Sequence, residues 1–287
     1  MRWRDLRRSS RVDDLRGRSG RPGIPLRLGG RGGGGLAIVA VLVIAYFIGG
    51  PEALNLLLGG GGGSGGLGQS APGAQLDDES SQFIAAVLGS TEDEWQALFA
   101  QSGARYAPPR LTLFSDSVQS ACGFATSAVG PFYCPADRRV YLDTAFFADL
   151  ARMDGPGDFA QAYVLGHEVG HHVQTLLGTS ERVRAAQASA DEVGANRLQV
   201  AMELQADCYA GVWAHHANLR SRVLEPGDAE EGLGAAAAIG DDRLQRNAGR
   251  RVTPDSFTHG SSAERQRWLE RGLESGDPDA CDTFAAA

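Results

Sequence analysis

Two histidines four residues apart in AYVLGHEVGHHVQTLLG (162–178) constrain this 287-residue chain more than any other feature. On a helix, His167 and His171 lie on one face a turn apart, so both rings can turn a nitrogen to a single ion. Glu168 is rotated from that axis by about 100°. It borders the same site, where it can accept a proton from water activated by an ion. The surrounding residues are apolar or small, which predicts a buried helix whose polar groups need partners. Ordinary hydrogen bonding of two buried rings needs two or three separate acceptors, whereas one ion satisfies both. Gly166 and Gly170 each weaken such a helix by about 1 kcal/mol relative to alanine and leave room beside an ion. His172 points to another face and reads as a surface residue or one that supports a ligand from behind.

A zinc ion engaged in catalysis takes three protein ligands and a water, so a third ligand must come from elsewhere. The longer pattern that adds a glycine and a third histidine fails, because Gln174 and Leu177 occupy those positions. Downstream, MELQADCYAG (202–211) sets Glu203 and Asp207 one helical turn apart among apolar residues, a poor setting for a solvated charged face. Glu203 can bind the ion while Asp207 accepts the second N–H of a ligating histidine and fixes its tautomer. The exchanged assignment, with Asp207 as ligand, stays open, and the longer reach of glutamate favours Glu203. His-Glu-x-x-His is the arrangement of zinc metallopeptidases, in which the ion lowers the pKa of a water and the glutamate is the general base.

The N-terminal quarter has a different character. Residues 1–34 carry ten arginines against three aspartates, leaving −15 over the remaining 253 residues of a chain whose net charge is −8. The acidic remainder argues against nucleic acid as a partner. GGLAIVAVLVIAYFIGG (34–50) is uncharged and apolar, with the arginines before it. It is expected to be a transmembrane helix, with a basic cytoplasmic N-terminus (1–33) and the rest exported. A cleaved signal peptide is the alternative, weakened by the long head and the lack of an Ala-x-Ala site. A Gly-rich linker (51–76) follows, and residues 77–287 have the size of one domain.

Within 77–287, apolar periodicity predicts helices over 80–101, 159–177, 190–216 and 229–247, and a last one from Ser261. Thr91 with Glu94, and Ser261 with Glu264, have capping-box spacing and predict helix starts. RLTLFSD (110–116) and RRVYLD (138–143) read as strands around a loop that holds Cys122 and Cys134. The expected fold class is α+β and helix-dominated: a zincin-like domain behind one membrane helix.

At SACGFATSAVGPFYCPADRRVYLD (120–143), GHEVGHHVQ (166–174), ELQADCYAGVWA (203–214), FTHGSSAERQRW (257–268) and GLESGDPDACDTF (272–284) the sequence resembles the bacterial neutral zinc metallopeptidases of gluzincin-like type. The resemblance implies a membrane-anchored zincin at the cell membrane that cleaves peptide or protein substrates. Its one zinc per chain is held by His167, His171 and Glu203, with Glu168 as base. A non-catalytic zinc-stabilised binding module of the cell envelope is the alternative, and an intact Glu168 argues against it. In an oxidising compartment the even cysteine count suggests two disulfides, Cys122 with Cys134 and Cys208 with Cys281; a buried free thiol at Cys208 is the competing reading. His259 precedes a capped helix start, where it either stabilises the oxyanion of peptide hydrolysis or serves only in packing. Tyr163 and Tyr209 are weaker candidates for that role.

Overall fold

The computed structural model describes residues 1–17, 78–153 and 155–286. The helices are α1 (Glu79–Gln101), α2 (Ala145–Arg152), α3 (Asp158–Leu176), α4 (Thr179–Gln187), α5 (Glu192–Ser221), α6 (Asp228–Ala238), α7 (Asp241–Asn247) and α8 (Ser262–Ser275). The strands are β1 (Val12–Asp14), β2 (Arg110–Phe114), β3 (Ser117–Ser120), β4 (Gly123–Thr126), β5 (Phe132–Cys134) and β6 (Arg139–Asp143).

The order β1-β2-β6-β5 forms one sheet. β1, β2 and β6 run parallel, and β5 closes one edge antiparallel to β6. Leu111 and Leu113 of β2 and Val140 and Leu142 of β6 enter the main core, shared with the buried faces of α1, α3 and α5. β3 and β4 form a separate hairpin.

The central helix is α5, packed against α3 on one side and α8 on the other. Small residues allow the backbones to touch: a Cβ on Gly170 of α3 would lie 2.9 Å from the Ala206 carbonyl oxygen of α5. A Cβ on Gly166 would meet the Trp213 ring at 2.8 Å. These glycines therefore make room for helix α5, and the expectation that they make room for an ion is corrected. Their helix-propensity cost is offset by a close crossing that carries Glu203 and Asp207 up to the two histidines.

Helix starts follow local capping. The Asp78 and Asp191 side chains accept from the backbone N–H groups of Ser81 and Gly194, and Ser261 with Glu264 forms the expected capping box. No helix begins at Thr91. Its hydroxyl donates to the Leu88 carbonyl at 2.8 Å inside one continuous α1, so burial of the surrounding face overrides the cap signal. The expected helix over 229–247 is two, α6 and α7, divided at Ile239–Gly240. Both disulfides occur as read, Cys122–Cys134 and Cys208–Cys281.

The expected membrane helix (34–50) and linker (51–76) lie outside the described residues. Among those described, no helix is long and apolar enough to cross a membrane. The fold class is corrected accordingly: the described residues form a helix-dominated α+β domain, and none of them supports the membrane helix. Of the expected basic head (1–33), residues 18–33 lie outside the described residues, while residues 1–17 belong to the domain. Met1, Trp3 and Val12 are buried in its core, and β1 pairs with β2. Arg7 and Arg16 have domain carboxylates as partners: Arg7 bonds Glu92 and Asp93 at 2.8 Å each, and Arg16 reaches Asp78 at 2.6 Å. Residues 1–17 and the acidic domain are complementary in charge.

Candidate metal centre

His167 and His171 project from the middle of α3, and Glu203 and Asp207 from the facing turns of α5. One ligand atom from each of His167, His171 and Glu203 lies within 4.8 Å of the others. Glu203 Oε2 is 3.2 Å from His167 Nε2 and 3.6 Å from His171 Nε2. The other Glu203 oxygen accepts from Gln199 Nε2 at 2.9 Å, which turns Oε2 to the rings.

Asp207 stands behind His167. Its Oδ1 lies 2.7 Å from His167 Nδ1, so that nitrogen donates to the carboxylate and Nε2 is left facing Glu203. This geometry favours Glu203 as the ligand and Asp207 as the orienting group. The sequence reading missed what holds Asp207. The Arg265 guanidinium donates to both of its oxygens, at 2.8 and 2.9 Å, and the Tyr163 hydroxyl donates to Oδ1 at 2.6 Å. Asp207 and Arg265 are 0% and 1% exposed, making a buried bidentate ion pair directly under the site. A buried Asp207 demands a cation in the sequence, but nothing local says which arginine supplies it.

The electrostatics suit a cation among these three side chains. Burial, the largest influence, lowers the pKa of His167, yet Asp207 and Glu203 outweigh it and raise the group to about 9. His171 is also raised: burial opposes this and Glu203 overcomes it. Burial pushes Glu203 up, but the two histidines hold it well below the usual carboxylate range. Two imidazoles that favour positive charge and a carboxylate that favours negative charge form a donor set of the kind zinc takes. The residues present therefore fit the ion.

Glu168 faces the same space without joining the ligand trio. Burial raises its pKa, opposed by His171 and His167 and by the backbone N–H of Tyr133 on β5. A carboxylate with raised pKa beside a cation site is suited to take up a proton and release it.

His259 sits in the loop before α8. The Asp241 carboxylate accepts from the backbone N–H groups of Thr258, His259 and Gly260 at 2.7, 2.6 and 3.1 Å, and its other oxygen lies 3.3 Å from His259 Nδ1. Gly260, at φ +89°, sits where a Cβ would be 3.1 Å from Leu204, which presses the loop against α5 beside Glu203. Burial lowers the His259 pKa, but Asp241 and Glu203 raise it on balance. Tyr163 is engaged with Asp207 and Arg265, and Tyr209 packs edge-on against Trp95 at 5.4 Å.

His172 is corrected from a surface or ligand-supporting residue to a core one. It is fully buried, with Nε2 donating to the Ala107 carbonyl at 2.7 Å and Nδ1 3.0 Å from the Tyr133 hydroxyl. Burial, the dominant cause, depresses its pKa from 6.5 to about 4. The fold thus prefers the neutral ring. This contribution to stability is complete above pH 6.5 and is lost as pH falls toward 4, by about 3 kcal/mol across that window. Urea unfolding of metal-free protein at pH 7 and pH 4, for wild type and His172→Gln, measures it: the wild type is expected to lose about that much more stability on acidification than the variant.

The sequence comparisons bear on this geometry. The family model described as "Putative neutral zinc metallopeptidase" matches residues 1–284. The chain is 45% identical to "Uncharacterized protein YpfJ" of Escherichia coli K12 over 297 aligned positions, covering 99% of each chain. It is 43% identical to "Uncharacterized protein Rv2575" of Mycobacterium tuberculosis H37Rv over 233 positions, covering 76% of this chain and 78% of that one. No solved structure matches.

Proposed function

The chain belongs to the neutral zinc metallopeptidase family whose model spans nearly all of it, and from that premise we propose that it is a zinc-dependent peptide hydrolase with one zinc held by His167, His171 and Glu203. The observation that carries the reading is the convergence of these three side chains from two helices, with an uncoordinated Glu168 beside them.

When bound, zinc supplies Lewis acidity, lowering the pKa of water and polarising the scissile carbonyl. Glu168 takes the proton of the attacking water and delivers it to the leaving amine nitrogen. Water is the nucleophile, so no covalent enzyme intermediate forms. Asp207, held by Arg265, keeps His167 in its Nδ1–H tautomer. His259, aligned by Asp241, donates a hydrogen bond to the oxyanion that develops on the substrate carbonyl. β5 is an edge strand of the sheet, and an extended peptide can pair along its open edge. Two disulfides support work in an oxidising compartment.

The test is zinc stoichiometry by elemental analysis of the purified protein, beside Glu203→Ala. About one zinc per chain in the wild type and near none in the variant is the expected result. A folded wild type that neither carries zinc nor takes it up would overturn the proposal.

A further inference from the structure

The two histidine ligands are supported by different chemistry. His167 leans on the charged Asp207–Arg265 pair. The Nδ1 of His171 meets an uncharged group instead, lying 2.9 Å from the side-chain oxygen of Gln174, three residues on along α3. Gln174 is fully buried, an expensive place for an amide unless every polar atom is used.

Every atom is used, and the pattern allows one direction only. The Gln174 amide nitrogen lies 2.8 Å from the Met202 backbone carbonyl and 3.1 Å from Gln205 Oε1. A backbone carbonyl only accepts, so nitrogen must face Met202 and Oε1 must face His171. Gln205 is oriented in the same way, its nitrogen donating to the Cys281 backbone carbonyl at 3.0 Å. Two backbone carbonyls thus fix both amides, and the ring nitrogen that meets Gln174 Oε1 has to be the N–H. The far end is anchored in turn: Cys281 is bonded to Cys208 of α5, and the Thr283 hydroxyl donates to the Ala201 carbonyl at 2.6 Å.

We propose that Gln174 and Gln205 form a neutral amide relay, running from the C-terminal Cys281 carbonyl to His171, that sets His171 as the Nδ1–H tautomer and so presents Nε2 to the metal. The inference rests on reading the site as a zinc centre. Both glutamines are positioning residues, since neither reaches the ion or the substrate. A neutral relay has a physical advantage here: it gives direction without placing a further carboxylate beside Glu168, Glu203 and Asp207. It also connects the ligand on α3 to the covalently closed C-terminal segment, which a helix crossing alone would leave unlinked.

The test uses Gln174→Met, which keeps side-chain length and removes the acceptor, and Gln205→Met, one step further from the ring. The first readout is the ¹⁵N spectrum of the His171 ring in metal-free protein on the alkaline side of its titration, where the neutral tautomer shows directly. The second is zinc affinity by chelator competition. Wild type is expected to show protonated Nδ1. Gln174→Met is expected to show a mixture of tautomers and a zinc affinity lower by about 10- to 100-fold, with Gln205→Met intermediate. A relay that merely fills space would lower stability without moving the ring spectrum. If Gln174→Met folds with Nδ1 still fully protonated and affinity within about twofold of wild type, the proposal fails; if it does not fold, an unchanged spectrum in Gln205→Met defeats it equally. A wild type that binds no zinc but shows the tautomer shift in the variants would refute the zinc reading and leave the relay standing.

Discussion

Glu168→Gln is expected to lower turnover of a peptide substrate by about 10²- to 10⁴-fold, the range for loss of a positioned general base, with zinc content unchanged. The substitution keeps shape and buried volume, and an amide cannot take up the proton. Glu168 is only 7% exposed and lies outside the ligand trio, so a metal-binding defect is not expected. The fall belongs in kcat, with KM little altered, because the lost interaction exists only as the proton moves. Steady-state kinetics beside elemental analysis reads both quantities. Zinc lost with Glu168→Gln would instead make this side chain a ligand. His259→Ala in the same assay is the natural companion. A loss of about 10²- to 10³-fold with zinc retained fits an oxyanion donor, and unchanged turnover removes His259 from the mechanism.

Asp207→Ala is expected to cost about 3 to 5 kcal/mol of stability, the range for breaking a buried ion pair by removing one partner. The cost comes from what stays behind. Arg265 is 1% exposed, and without Asp207 its charge has lost both carboxylate oxygens in a place water does not reach. Removing both charges, as Asp207→Ala with Arg265→Met, is expected to recover much of that stability. It is not expected to recover zinc affinity, because His167 still lacks the acceptor for Nδ1 and stays about 10- to 100-fold weaker. Urea unfolding of metal-free protein, which excludes stabilisation by ligand binding, separates the two effects. A double variant that regains zinc affinity together with stability would show that Asp207 serves only as the counter-ion of Arg265.

The local layer of this protein could be read from the chain. Helical spacing put His167 and His171 on one face, the Glu203–Asp207 turn supplied the partner, and the Ser261 capping box began α8 where expected. Such features depend on residues three or four apart, and the backbone repeat alone fixes their relative positions. Sequence spacing could offer Glu203 and Asp207 as alternatives; in the fold Asp207 faces His167 Nδ1 and Glu203 faces His167 Nε2. Gln174 gave a signal that went unused as such, since a polar side chain within an apolar helix announces a buried partner.

Apart from the cysteines, pairings between distant segments had no such signal. Arg265 meets Asp207 across 58 residues, Gln205 meets Cys281 across 76, and Arg7 meets Glu92 across 85. Any of several arginines could have matched Asp207 by charge, and only packing selects one. The same reason misled the reading of Gly166 and Gly170. Charge and side-chain size are properties of single residues, whereas the surface they complement exists only once α3, α5 and the sheet have come together. The sequence by itself determined which groups could hold an ion and do the chemistry; tertiary structure decided which partners fix their tautomers and charges, because only a packed interior excludes water and makes those partners obligatory.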